Sequence, residues 1–312
     1  MLAKPLRFGR RHFTQLTSLV LVALSLAATA VQPDDLSHHP AMIATLADPA
    51  VTESSGLVAS PKTPGLLWTL NDSGHPPTLF ATNRAGDALA TLTVTGATNT
   101  DWEDLGAGWS DDGSPVLYLA DTGDNTRSRA EIAIYRVPEP AIDPDRAASA
   151  VVGETEPAER YRLILPDGAS DIEAIVVHPV RREIILLSKE SFAAAAVYRV
   201  PSLTAPEQPL RVERLADVSL PGFGPLRAIT GGAVSAAGNQ LAVRTATAAY
   251  IWQLPEAMPM AEVLAEPPRR IALPPMPAGE AIAFRADGDA LLLTSEGAPA
   301  PLYEVALSGS AA

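Results

Sequence analysis

An all-β ring of five blades is the fold this chain predicts, and three observations predict it. A unit made of two short β-patterned segments, the first opening on an acidic residue in three of its copies, recurs five times, with equivalent positions 48, 70, 57 and 50 residues apart. The segments are separated by Gly, Pro, Asn and Asp, and most of the 29 prolines fall between them. A spare β-patterned stretch, Ala41-Met-Ile-Ala-Thr-Leu, precedes the first unit, while the last unit lacks its fourth strand. Self-similarity on this scale is the signature of a β-propeller. Pairing the spare first segment with the last would close the ring and remove the exposed edge that an open sheet carries. A six-bladed ring, with a weak blade inside the long second unit, is the alternative.

The copies run in order. Glu53-Ser-Ser-Gly-Leu-Val-Ala-Ser is followed by Leu66-Leu-Trp-Thr-Leu-Asn-Asp-Ser-Gly, Asp101-Trp-Glu-Asp-Leu by Val116-Leu-Tyr-Leu-Ala-Asp-Thr-Gly-Asp-Asn, and Asp171-Ile-Glu-Ala-Ile-Val-Val by Glu183-Ile-Ile-Leu-Leu-Ser-Lys-Glu. Two looser copies begin at Ile229 and Gly279. Each unit has room for two further strands, such as Thr78-Leu-Phe-Ala-Thr and Ala90-Thr-Leu-Thr-Val in the first. Pro138 to Glu159, rich in Pro, Ala and charge, reads as a long exposed loop.

The first thirty residues read as a signal peptide rather than as part of the fold. Lys4, Arg7, Arg10 and Arg11 precede an apolar stretch that ends in Ala28-Thr-Ala, a small-residue cleavage pattern. Arg10-Arg11-His-Phe-Thr-Gln resembles a twin-arginine signal, so either the Sec or the twin-arginine route is open. The expected layout is a signal at 1–30, an N-terminal arm at 31–40, one propeller domain at 41–307 and a disordered tail at 308–312, in a periplasmic or extracellular protein. With no cysteine, thiol chemistry, disulfides and a lipoprotein anchor are excluded. Loss of the leader's four basic residues takes the net charge from −13 to −17. Such a surface repels nucleic acid and anionic membranes and attracts cations. A monomer is the default for a closed ring.

Alignment of the copies gives two columns at the start of each first strand. Glu53, Asp101, Asp171, Ala228 and Ala278 form one, and Ser55, Glu103, Glu173, Thr230 and Glu280 the other. Period-two alternation turns both columns the same way, toward the central channel if these strands are innermost. Crowded carboxylates raise one another's pKa unless a cation is present. Hard oxygen donors without cysteine favour Ca²⁺ or Mg²⁺, with Glu53, Glu103, Glu173 and Glu280 as metal ligands. The acids capping backbone N–H groups is the structural alternative.

A third column closes the second strands and supplies Asp72, Asp121, Asp124, Lys189 and Arg244, joined by His75 in the following loop. Lys189 and Arg244 beside Asp72 and Asp121 would make a mixed-charge rim for a carboxylate, phosphate or sugar ligand, although Asp, Asn and Gly are also ordinary turn residues. No nucleophile elbow, P-loop, dinucleotide fingerprint or His-Glu-x-x-His occurs.

Taken as a set, Glu53-Ser-Ser-Gly-Leu, Trp68-Thr-Leu-Asn-Asp-Ser-Gly, Asp101-Trp-Glu-Asp-Leu, Asp121-Thr-Gly-Asp-Asn, Tyr135-Arg-Val-Pro-Glu-Pro and Asp171-Ile-Glu-Ala-Ile resemble a family of exported bacterial β-propellers. More distantly the layout is similar to the gluconolactonase/regucalcin and esterase-like phytase propellers, a resemblance that implies a divalent cation on inner-strand acids. Ser55 and Thr230 depart from that pattern. Two functions therefore stand as expectations. One is an exported propeller that holds a divalent cation in its acidic channel and binds a small ligand or an envelope partner at its rim. The other is a metal-dependent hydrolase of an ester, lactone or phosphoester, in which the cation polarises the substrate and Asp101 or Asp171 acts as general base.

Overall fold

A computed structural model describes residues 40–145 and 150–307. The expected signal, the arm up to residue 39 and the tail lie outside the described residues.

Five sheets, each built on four antiparallel strands, stand around one axis, so the chain is a five-bladed β-propeller. Blade 1 is built from Ser54–Ala59, Leu66–Asn71, Thr78–Asn83 and Ala88–Thr93, ordered from the axis outward. Blade 2 uses Trp102–Trp109, Pro115–Asp121, Ile132–Pro138 and Glu159–Ile164, and blade 3 Ile172–Val177, Ile184–Ser188, Ala195–Val200 and Glu213–Val218. Blade 4 follows with Ile229–Val234, Gln240–Thr245, Ala248–Gln253 and Arg269–Ala272.

Blade 5 supplies only three strands from its own repeat, Ile282–Phe284, Ala290–Leu293 and Pro301–Ala306; its outer strand is Ala41–Thr45, paired antiparallel as Ala41 with Glu304 and Thr45 with Pro301. The ring is thus closed by the N-terminal strand. Leu46 N–H donates to the Ala300 carbonyl at 2.8 Å and Ala47 N–H to that of Gly86 at 2.8 Å, which fastens the closing strand to blade 1 as well. Gly86 sits at φ +83°, and a Cβ there would lie 2.2 Å from the Thr45 oxygen, so this seam needs a glycine.

The reading of Pro138 to Glu159 as a loop is corrected in part. Val151–Glu154 forms a fifth strand parallel to Ala88–Thr93 on blade 1, and Leu210–Arg211 likewise joins blade 2 in parallel to Glu159–Ile164. Each is a segment that one blade lends to the edge of its predecessor. This accounts for the length of the second unit without a sixth blade.

Alternating strand faces bury five apolar layers, one in each gap between neighbouring blades. Trp68 and Trp102, both 0 % exposed, lie between blades 1 and 2. Each indole removes roughly 4–6 kcal/mol worth of apolar surface from water, an upper bound set by an extended unfolded chain. Their N–H groups are satisfied by Glu139 Oε1 at 2.9 Å and the Thr98 carbonyl at 3.0 Å. Among the described residues no helix is long and apolar enough to cross a membrane.

Candidate functional site

The inner strands share an irregularity that the sequence does not announce. Pairing of the first and second strands slips at Ser55, Glu103, Glu173 and Thr230, the second aligned column in blades 1 to 4. A β-bulge at these positions breaks strict alternation and re-aims the side chain. In blades 2 and 3 the bulged residue is an acid, and both carboxylates enter one cluster.

Each first-to-second strand hairpin is antiparallel, so the end of the second strand lies beside the start of the first. Asp72 N–H donates to the Glu53 carbonyl at 3.0 Å, Thr122 N–H to that of Asp101 at 3.1 Å, and Lys189 N–H to that of Asp171 at 2.9 Å. The channel acids and the rim residues, treated separately in the sequence, therefore meet at one mouth of the ring. Oxygens of Asp72, Asp101 and Glu103 lie within 4.8 Å of one another, as do those of Glu103, Asp171 and Glu173, with Glu103 common to both groups. Gly123 makes room for this: a Cβ there would stand 2.0 Å from Glu103 Oε1 and 2.6 Å from Asp101 Oδ2.

Electrostatics follow from the crowding. Burial, then the charges of Glu173, Asp72 and Asp101, push the Glu103 carboxyl far above the usual range. Glu173 is 2 % exposed and pushed up to about 8 by burial, although Lys189 pulls the other way with Nζ 2.7 Å from its Oε1. The Lys189 ammonium is in turn held well above its ordinary value: burial lowers it, but Glu173, Glu280 and Glu103 together outweigh that. Asp72 and Asp101 are raised by burial, opposed at Asp72 by the Ser73 N–H. Asn99 Nδ2 donates to the Asp72 carbonyl at 2.7 Å and fixes this corner.

The remaining sequence candidates divide. Glu280 faces the same mouth, raised by burial, with its Oε2 buried and without a hydrogen-bond partner among the described residues. Glu53 is half exposed and belongs to neither triad; His75 Nε2 lies 2.9 Å from its Oε2. The expected ring of Glu53, Glu103, Glu173 and Glu280 is thus regrouped, with Asp72, Asp101 and Asp171 joining Glu103 and Glu173. Asp121 is paired to Arg129 at 3.0 Å and accepts the Asp101 N–H at 3.1 Å, while Asp124 accepts the N–H groups of Ser128 at 2.9 Å and Arg129 at 2.7 Å. Both hold the turn after the second strand of blade 2 and, by supporting Asp101 and Asp171, position the site; the Asp124 N–H donates to Asp171 Oδ1 at 2.8 Å. Arg244 is fully buried and donates to the carbonyls of Ala281 and Thr294, so it ties blade 4 to blade 5 and does not present its guanidinium to a ligand.

Ser55 and Thr230, which break the acidic column, staple neighbouring blades. Ser55 Oγ donates to the Trp102 carbonyl at 3.1 Å and Thr230 Oγ1 to that of Gly279 at 3.0 Å. Two further acids matter. Glu296, at the end of the second strand of blade 5, is pushed up to about 7 by burial and by Glu280, Asp72 and Glu53. In the sequence it follows the apolar run Ala290-Leu-Leu-Leu, the same place that Asp72 and Lys189 hold in their own units, and that equivalence is the signal for it. Asp104 is fully buried, accepting the N–H groups of Leu105 at 2.8 Å, Ile175 at 3.0 Å and Gly232 at 3.3 Å, and so joins three blades at the axis; burial still drives its carboxyl well above the usual range.

Ring and mouth define a β-propeller with an acidic, lysine-bearing axial site. No family model matches the chain, and no curated protein does. Among solved structures it is similar to the PQQ-bound form of aldose sugar dehydrogenase from Streptomyces coelicolor, at 10 % identity over 86 % of this chain and 98 % of that one, with a TM-score of 0.48. It is also similar to the Cps50 (Swd1) β-propeller domain of Myceliophteria thermophila, at 13 % identity over 82 % and 97 % of the two chains, with a TM-score of 0.40. Neither likeness bears on activity.

Proposed function

We propose that the acidic mouth binds a divalent cation, Ca²⁺ or Mg²⁺, and that this cation and Lys189 together receive a small ligand or an envelope partner. The observation that carries the reading is the pair of carboxylate triads sharing Glu103. Charges this close and this buried must be neutralised by protons or by a cation. The donors fit the ion: all are carboxylate oxygens, His75 is engaged with Glu53, and the orphaned Glu280 oxygen faces the same mouth. Adaptable carboxylates suit calcium more than the rigid octahedron of magnesium. The family strings and the likeness to the gluconolactonase/regucalcin and esterase-like phytase propellers support the same placement, and the leader pattern supports export. Elemental analysis of the purified protein tests the proposal: one equivalent of calcium or magnesium is expected, and its absence from Glu103→Gln. Wild-type protein that stays metal-free after incubation with both ions would overturn it.

Metal-dependent hydrolysis is the second reading, and Glu296 favours it. Its half-buried carboxyl stands at the same mouth, close enough to Glu280, Asp72 and Glu53 to feel their charges, where a general acid–base group beside the cation would have to be. Asp101 and Asp171 flank the space as candidate bases. Turnover of an ester, lactone or phosphoester that is lost in Asp171→Asn while metal content is kept would establish it.

A further inference from the structure

The opposite mouth of the ring is chemically the reverse of the first. Where the five inner strands end, Leu57, Leu105, Ile175, Val177 and Phe284 surround an axial cavity of about 160 Å³. Each blade contributes, blade 4 through Gly232 to Val234. The Asp104 carboxyl accepts the N–H groups of Leu105, Ile175 and Gly232, three residues of this lining, and so fixes the inner wall. Two cations stand at the rim. Arg285 is committed to Asp287 at 2.8 Å and Glu304 at 2.8 Å, whereas exposed Lys62 has no acid partner among the described residues.

A mostly apolar cavity of about 150 Å³ has room for one benzene-sized molecule, and an apolar pocket with a few convergent polar groups, open on one side, is the usual form of a ligand site. An ammonium at the edge of such a pocket, held by no acid among the described residues, favours an anion locally against the general repulsion of a chain of net charge −13. We propose that this mouth binds one small amphipathic anion: an apolar group of about six carbons seated among Leu57, Leu105, Val177 and Phe284, with a carboxylate toward Lys62. The site is independent of the acidic mouth.

The test is titration of the purified protein with hexanoate, hexanol and acetate, followed by methyl-resolved NMR. Hexanoate and hexanol are expected to shift the Leu57, Leu105 and Val177 methyls saturably and acetate is not. Hexanoate should bind about threefold more tightly than hexanol, the scale of an exposed ion pair. Lys62→Met should erase that preference, and Ala107→Trp, which fills the mouth from a half-buried position, should abolish both; Val58→Trp on another blade takes its place if that variant does not fold. Glu103→Gln should leave hexanoate binding unchanged, which separates this site from the cation site. No saturable shift at millimolar hexanoate, binding that survives both tryptophan variants, or a preference for hexanoate that persists in Lys62→Met would overturn the proposal.

Discussion

Replacing Glu173 by Gln should make the metal-free protein more stable, and only at neutral and alkaline pH. Burial raises this carboxyl from 4.5 to about 8 in the folded chain. The folded state therefore holds a proton that the unfolded state gives up between these values, and stability is lost as pH rises from about 5 through 8. At pH 8 the shift corresponds to at most about 4 kcal/mol of lost stability, at 1.36 kcal/mol per pKa unit. Solvent screens this charge little, because the side chain is only 3 % exposed. Glutamine mimics the protonated acid, so variant and wild type should unfold alike at pH 5 and differ by up to about 8 °C in Tm at pH 8, at roughly 2 °C per kcal/mol for a chain of this size. Thermal unfolding in chelator across this range is the assay. Millimolar calcium should close the gap by stabilising wild type and not the variant. A variant that is less stable than wild type at pH 8 in chelator would refute the reasoning, because Glu173 would then be held chiefly by Lys189.

Other consequences follow from the same geometry. Gly123→Ala should weaken calcium binding roughly tenfold with little effect on Tm, since its Cβ displaces the Glu103 and Asp101 oxygens without altering charge; unchanged affinity in a calorimetric titration would count against the cluster as the site. Lys189→Met should tighten calcium binding about tenfold by removing a competing ammonium, and weaker binding would instead make Lys189 a support of the site. Trp102→Ala should cost about 3–5 kcal/mol in denaturant unfolding through the cavity left between blades 1 and 2. Deleting residues 41–45 should destroy cooperative unfolding by opening the ring at Pro301–Ala306; a two-state transition with unchanged midpoint would contradict the role of the closing strand.

The fold was legible because a propeller repeats its instructions. Apolar alternation and turn residues return in every blade, and Ala41–Thr45 carried a strand pattern with no partner in its own unit. Val151–Glu154 was not legible, since it is short and lies on a blade edge with Val152 81 % exposed, so no burial period marks it. At the site, sequence alignment singled out Glu103 and Glu173, but not the bulges that re-aim them, because a bulge depends on pairing across strands and not on residue type. The union of channel and rim follows from hairpin geometry: antiparallel pairing brings Asp72 and Lys189 to the strand starts. Arg244 looked like a ligand group for want of knowing that blade 5 offers it two carbonyls. Asp104 went unremarked for a similar reason, as an acid's burial is decided by the neighbouring blades.

The most direct test of the cation site is a calcium titration of the chelator-treated protein by calorimetry at pH 5.5 and pH 7.5, in buffers of different ionisation enthalpy. One equivalent should bind, more tightly at pH 7.5, with protons released into the buffer as Glu103 and Glu173 give them up to the ion. Absence of binding at both pH values, or binding that is independent of pH and persists in Glu103→Gln, would place the cation elsewhere or nowhere, and leave the acidic mouth neutralised by protons and Lys189 alone.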